Sequence, residues 1–169
     1  MKAQSRPHLV DVPQIVRPTA TVALDDIDKA IITELQIDGR MPYAKLGPAV
    51  GLSDAAVRQR VQRLLDSGVM QVVAVTDPIA VGFTIEAMIA INAQGDLRVI
   101  AKELEAIPQA TYVVIIAGRY DLMCEVVCED TEELLTLIND RVRAIKGVTH
   151  AETFTYMHIA KQSYSWGTR

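Results

Sequence analysis

The stretch Val50-Gly51-Leu52-Ser53 constrains this chain most, because it leaves almost no connecting residues between two segments of helical hydrophobic period. Upstream, Ile27, Ile31, Ile32 and Leu35 recur at the spacing of one helix face. Asp25 is the expected N-cap of that helix, with Asp28 three residues on, and Gly39 is its expected end. A short second helix is expected over residues 44–50. Beyond the turn, Ser53 is expected to cap a third helix, with Val57, Val61, Leu64 and Leu65 inward and Gly68 closing it. Three short helices, with a tight Gly-containing turn between the last two, fit a helix-turn-helix.

The polar face of the third helix carries the chemistry. Stepping about 100° per residue from Val57 places Ala55, Ala56, Gln59, Gln62 and Arg63 opposite the buried stripe, with Arg58 and Arg60 on its flanks. Small side chains near the helix start permit close approach to a groove. Gln bonds adenine in a bidentate way, and Arg bonds guanine or phosphate. These residues, with Lys45 and Ser53, are the expected double-stranded DNA contacts. Lys45 and Arg58 are assigned to phosphate. The same pattern also fits an ordinary amphipathic helix with a solvated face. The clustering of Arg and Gln beside the Gly-Leu-Ser turn favours DNA.

Charge distribution agrees. The formal net charge of −4 looks wrong for a partner of nucleic acid. Residues 40–63, however, hold five basic side chains against one acidic, whereas residues 79–169 hold eight against twelve. An acidic body with one basic patch orients a protein on DNA.

From about residue 79 the hydrophobic period changes. Strands are expected over residues 83–93, 111–117, 122–128 and 148–159. Helices are expected over 96–107 and, capped by Thr131, over 131–145. The order β-α-β-β-α-β is ferredoxin-like. The expected fold class is therefore α+β: a winged helix-turn-helix, made of three helices and a short extended segment at residues 69–76, followed by the βαββαβ domain. Helices cover one face of such a sheet, and a second subunit is the expected cover for the other.

The expected division is a flexible arm over residues 1–22, a helix-turn-helix domain with linker over 23–78, the βαββαβ domain over 79–160 and a tail over 161–169. Pro7, Pro13 and Pro18 make the arm a poor core segment. No apolar run approaches the roughly 18 residues needed to span a bilayer. The N-terminus lacks a signal-peptide stretch, so a cytoplasmic protein without a membrane partner is expected. Cys124 and Cys128, four apart on a strand, share a face but stand too far apart for a disulfide. They read as buried thiols, and neither a metal nor a cofactor is expected.

Leu24-Asp25-Asp26-Ile27-Asp28, Gly39-Arg40, Val50-Gly51-Leu52-Ser53, Arg60-Val61-Gln62-Arg63-Leu64 and Gly68-Val69 together resemble the leucine-responsive/asparagine regulator (Lrp/AsnC, feast/famine) family. The βαββαβ half, with Gly118-Arg119-Tyr120-Asp121, resembles that family's effector and assembly domain. The resemblance runs in order over residues 23–160. It implies a sequence-specific transcription regulator that responds to an amino acid or related metabolite and is not an enzyme. It also implies a homodimer assembling further, commonly into octamers. By the same resemblance the effector site falls on Gly118, Arg119, Tyr120 and Asp121, with Thr153 and Thr155. Gly118 is expected to give the turn a positive φ, Asp121 to take the amine and Arg119 the acid end. A plain hairpin turn, with Tyr120 packed on a neighbour, is the alternative at these positions. Gly47-Pro48 departs from the family pattern and implies a short or kinked second helix.

Two other functions fit parts of the chain. Sirohaem decarboxylases resemble this family, and His150 and His158 are an even number apart on one expected strand. A ligand-sensing oligomer whose helical unit docks on protein is the third reading.

Overall fold

The computed structural model describes residues 22–164 and 166–168. The expectations for residues 1–21, including the flexible arm, lie outside the described residues. The described chain forms two compact units, one over residues up to Val75 with the tail from Lys161, and one over Thr76–Ala160.

The first unit holds α1 (Asp26–Ile37), α2 (Tyr43–Ala49) and α3 (Asp54–Asp66). Asp25 caps α1 through a reciprocal capping box: its carboxylate accepts from the Asp28 N–H, and the Asp28 carboxylate accepts from the Asp25 N–H. Pro48 lies inside α2, which is seven residues long. The turn after α2 depends on Gly51 at φ +73°. Ser53 then caps α3 by accepting from the Ala56 N–H. Ile31, Ile32, Leu35, Leu46, Val57, Val61 and Leu64 form the core, so each helix contributes to one apolar centre. Beyond α3, residues 71–77 are chain without a paired strand.

The second unit holds β1 (Ile85–Ala93), α4 (Leu97–Glu105), β2 (Ala110–Ile115), β3 (Leu122–Cys128), α5 (Thr131–Thr136) and β4 (Val148–Thr155). The strands form one antiparallel sheet in the order β2-β3-β1-β4. Cross-strand pairs share a face, which sorts the side chains. Ala87, Ile89 and Ile91 pair with Val126, Cys124 and Leu122 and pack with Ile100, Leu104 and Val142 under the helices. The opposite face carries Glu86, Met88 and Ala90 on β1, Met123 and Glu125 on β3, and Glu152 and Phe154 on β4.

Several boundaries differ from the expected ones for local reasons. The Phe83 N–H bonds Pro78 O in a turn, so β1 begins at Ile85. With β1 starting there, the chain after Tyr156 has no ladder partner, and β4 ends at Thr155 rather than at Ile159. Asp130, not Thr131, caps α5: its carboxylate accepts from the Glu133 N–H at 2.8 Å. That helix does not continue as α to Ile145. Leu137–Val142 is a π-helical turn. Leu137 and Val142 are both buried although five residues apart. In α geometry they would diverge by about 140°, and the wider π turn brings them to one face.

Cys124 and Cys128 are buried free thiols. Burial pushes their pKa values up, to about 12 and about 11, so neither is a ready thiolate at neutral pH.

Candidate nucleic-acid interface

The face of α3 opposite the core is open. Val57, Val61 and Leu64 are buried, while Ala55, Arg58, Gln59, Gln62 and Arg63 are exposed. Arg58, Gln59, Gln62 and Arg63 line an open groove of about 700 Å³. Ala55, Arg58, Gln59, Gln62 and Arg63 thus share one surface, while three of the expected contacts, Ser53, Arg60 and Arg63, make short bonds to groups outside it. The Ser53 hydroxyl accepts from the Ala56 N–H at the helix start. Arg60 is half-buried and turned toward α1, where its Nη1 donates to Asp25 Oδ2 at 2.6 Å and Asp28 Oδ1 at 2.8 Å. Arg63 keeps an exposed side chain, but its Nη2 donates to Asp28 Oδ2 at 2.5 Å. Asp28 is 1% exposed, so two arginines of α3 converge on one buried carboxylate. The Arg60 bond holds the Asp25 carboxyl below its usual range, and that same bond raises the Arg60 guanidinium.

The remaining polar groups are less tied. Arg58 lies over the Tyr43 ring at 5.0 Å and 4.0 Å from Asp54, reaching from α3 toward the start of α2. Lys45 is exposed on α2. Gln62 Nε2 donates to Asp66 Oδ1 at 2.8 Å, and Gln59 projects freely. Sequence reasoning missed Asp66, which borders the groove near the helix end. Its spacing of four from Gln62 was the available signal.

The turn between β2 and β3 is built differently from expectation. Gly118 does not have a positive φ, and a Cβ there would meet nothing, so glycine is not required for that backbone. Asp121 is a structural acceptor: its Oδ2 takes the Ala93 N–H at 2.9 Å where the β1–β4 register shifts between Asn92 and Ala93. A bulge leaves a backbone donor without a ladder partner, and this carboxylate supplies one. Asn92 Nδ2 donates to Arg119 O at 2.8 Å, fixing the turn from the same end of β1. Tyr120 reaches β4, where its hydroxyl donates to Glu152, and that bond raises the phenol pKa. Arg119 stacks over the Tyr120 ring at 5.5 Å. Thr153 and Thr155 pair with Ile89 and Ala87, on the helix-covered side, away from the Glu152 face. Glu152, which sequence reasoning did not select, is therefore the β4 residue at this turn. His150 is on β4, whereas His158 lies beyond its end, so the two do not share a strand.

Residues 24–65 match the AsnC-type helix-turn-helix domain, and residues 75–169 match a C-terminal dimeric alpha+beta barrel domain. The chain belongs to the AsnC/Lrp family of transcriptional regulators. An HTH-type transcriptional regulator of Pyrococcus abyssi is 34% identical over 146 residues, covering 85% of this chain and 92% of that protein. The leucine response regulatory protein LrpA of Mycobacterium tuberculosis has the same fold, with TM-score 0.77 and 28% identity over 86% of this chain and all of that one (100%). A regulator of Neisseria meningitidis in complex with L-methionine matches with TM-score 0.76 and 22% identity, covering 85% and 96% of the two chains. As an AsnC/Lrp regulator the chain carries a DNA-binding helix-turn-helix, and its second unit belongs to a dimeric domain type. Among the described residues no helix is long and apolar enough to cross a membrane.

Proposed function

We propose that the chain is a sequence-specific, non-enzymatic DNA-binding regulator in which α3 enters the major groove and an α-amino acid or related metabolite acts at the β2–β3 turn. The observation that carries the DNA reading is the open face of α3, with Gln59 and Gln62 central and small Ala55 near the helix start. An N-terminal stretch free of bulk lets the helix come close enough for amide side chains to meet base edges. Ser53, Lys45 and Arg58 hold the flanking phosphates. Arg63 adds a base or phosphate contact through the part of its fork that Asp28 leaves free. Arg60 contributes by orienting α3 on α1.

The test compares a duplex enriched by the wild-type protein from a random pool with a random duplex. Gln59→Ala is expected to weaken binding to the enriched duplex by about 1–3 kcal/mol while leaving the random one little changed. An unchanged ratio in the Gln59/Gln62 double alanine variant would sink the assignment.

For the effector, the turn offers one acid and one cation on the two parts of Tyr120, Glu152 at its hydroxyl and Arg119 over its ring. Glu152 is suited to an α-ammonium and Arg119 to a carboxylate. Asp121, Gly118 and the two threonines shape the surroundings. The L-methionine held by the Neisseria regulator of the same fold agrees with an amino acid as the ligand class. Homodimers form through the open sheet face, where Met88, Met123, Tyr112 and Phe154 would otherwise meet water, and dimers assemble into octamers in the cytoplasm. In a thermal-shift screen against free amino acids, at least one is expected to raise the melting temperature, since a ligand preferring the native state stabilises it. Glu152→Gln is expected to abolish that shift with basal DNA binding intact. A shift that survives this change places the sensor elsewhere.

A further inference from the structure

We propose that Asp25 and Asp28 of the first helix's capping box are specificity-determining residues for DNA recognition, acting by withholding arginine from phosphate. This rests on the reading of α3 as the DNA-facing helix.

Three arginines project from α3, and two are committed to acids on the other side of the unit. Arg60 donates through one amino group to both Asp25 and Asp28. Arg63 is held at one amino group by Asp28, while the rest of its side chain stays half in solvent beside Gln59 and Gln62. Only Arg58 lacks a short bond to an acid, its nearest carboxylate being 4.0 Å away on the exposed Asp54.

Sequence-independent affinity grows with each cation that displaces a counterion from the DNA backbone. Discrimination is the difference between specific and random binding, so silencing a phosphate-seeking cation improves it without a new base contact. Pinning Arg63 at one amino group also removes rotamer freedom that binding would otherwise have to freeze. The acids thus act through the arginines and are positioning residues.

Asp25→Asn is the informative change, because asparagine caps a helix as well as aspartate does, while Arg60, still bonded to Asp28 at 2.8 Å, then draws on that carboxylate alone and loosens its hold on the exposed Arg63. Asp26→Asn is the control. It changes net charge equally on the same turn of α1, but Asp26 is fully exposed and pairs only with Lys29 at 3.7 Å. Binding of the full-length variants to the enriched and random duplexes is measured across a salt series, with Gln59→Ala alongside.

Asp25→Asn is expected to tighten random-duplex binding by about three- to tenfold and to steepen its salt slope by about one phosphate contact, lowering the specific-to-random ratio. Asp26→Asn is expected to leave the slope unchanged. Equal behaviour of the two variants overturns the proposal, as does parallel weakening on both duplexes, which is what a merely structural role produces. Gln59→Ala reports on the α3 reading separately, so its failure is distinguishable from failure of the acid pair.

Discussion

Gly47→Val is expected to destabilise the helix-turn-helix unit by about 3 kcal/mol and to remove DNA binding with it. Gly47 is buried in α2 where the chain returns into α3. A Cβ there would stand 2.7 Å from Leu52 O and 3.4 Å from Asp54 N, and these are backbone atoms. The Gly47 carbonyl accepts from the Leu52 and Val50 N–H groups, so the turn cannot move off without giving up bonds. A valine adds two further methyl groups to that crowding. A unit of this size is stable by roughly 3–8 kcal/mol, so the loss is a large part of the whole. Thermal unfolding followed by circular dichroism checks it, alongside binding to the enriched duplex. A variant with wild-type melting and wild-type affinity would show that the α2–α3 crossing relaxes freely.

Gly147→Ala is expected to be the more damaging change, at about 4 kcal/mol for the sheet unit. Two costs combine. Gly147 has φ +103°, a region that costs an L-residue on the order of 1–3 kcal/mol. Its Cβ would also lie 2.5 Å from Gln94 O and 3.0 Å from the Ile100 side chain, an overpacking worth a further ~1–3 kcal/mol. The backbone cannot rotate away cheaply, because Gly147 O accepts the Gln94 N–H at 2.8 Å and joins the end of β1 to the start of β4. For a domain of this size the melting temperature is expected to fall by about 15–30 °C. Differential scanning calorimetry measures it. On the proposed assembly through this sheet, light scattering should show loss of assembly in step with unfolding. An assembled variant melting within a few degrees of wild type would contradict the geometry.

The Gly47 case shows how far a local reading reaches. From sequence, Gly47-Pro48 is a departure from good helix formers, and a short second helix follows from it. That inference holds in the seven-residue α2. Propensity alone assigns Gly47 a cost, however, and is silent about the Leu52 carbonyl that makes the missing side chain necessary. The same limit applied at Gly118, where a conformational role was expected and the backbone has no need of one.

What the sequence determined by itself was everything local periodicity and capping control. The three helices, the Gly51 turn, the Asp25 and Ser53 caps, the βαββαβ order and the shared face of Cys124 and Cys128 all follow from residues within a few positions of each other. Periodicity also placed Ala55, Gln59, Gln62 and Arg63 on the exposed face of α3, because a helix angle depends on residue number alone, whereas Ala56 on that expected face is half-buried. Tertiary structure decided which of those exposed charges already have partners. Arg60 and Arg63 meet acids 32 and 35 positions earlier in the chain. Asp121 spends its carboxylate on a bulge in β1, and Tyr120 selects Glu152 on β4 over the neighbouring threonines. Periodicity specifies the direction in which a side chain leaves its own element. The group it meets there is set by how separate elements dock, and the charge left over for a ligand is decided only at that step.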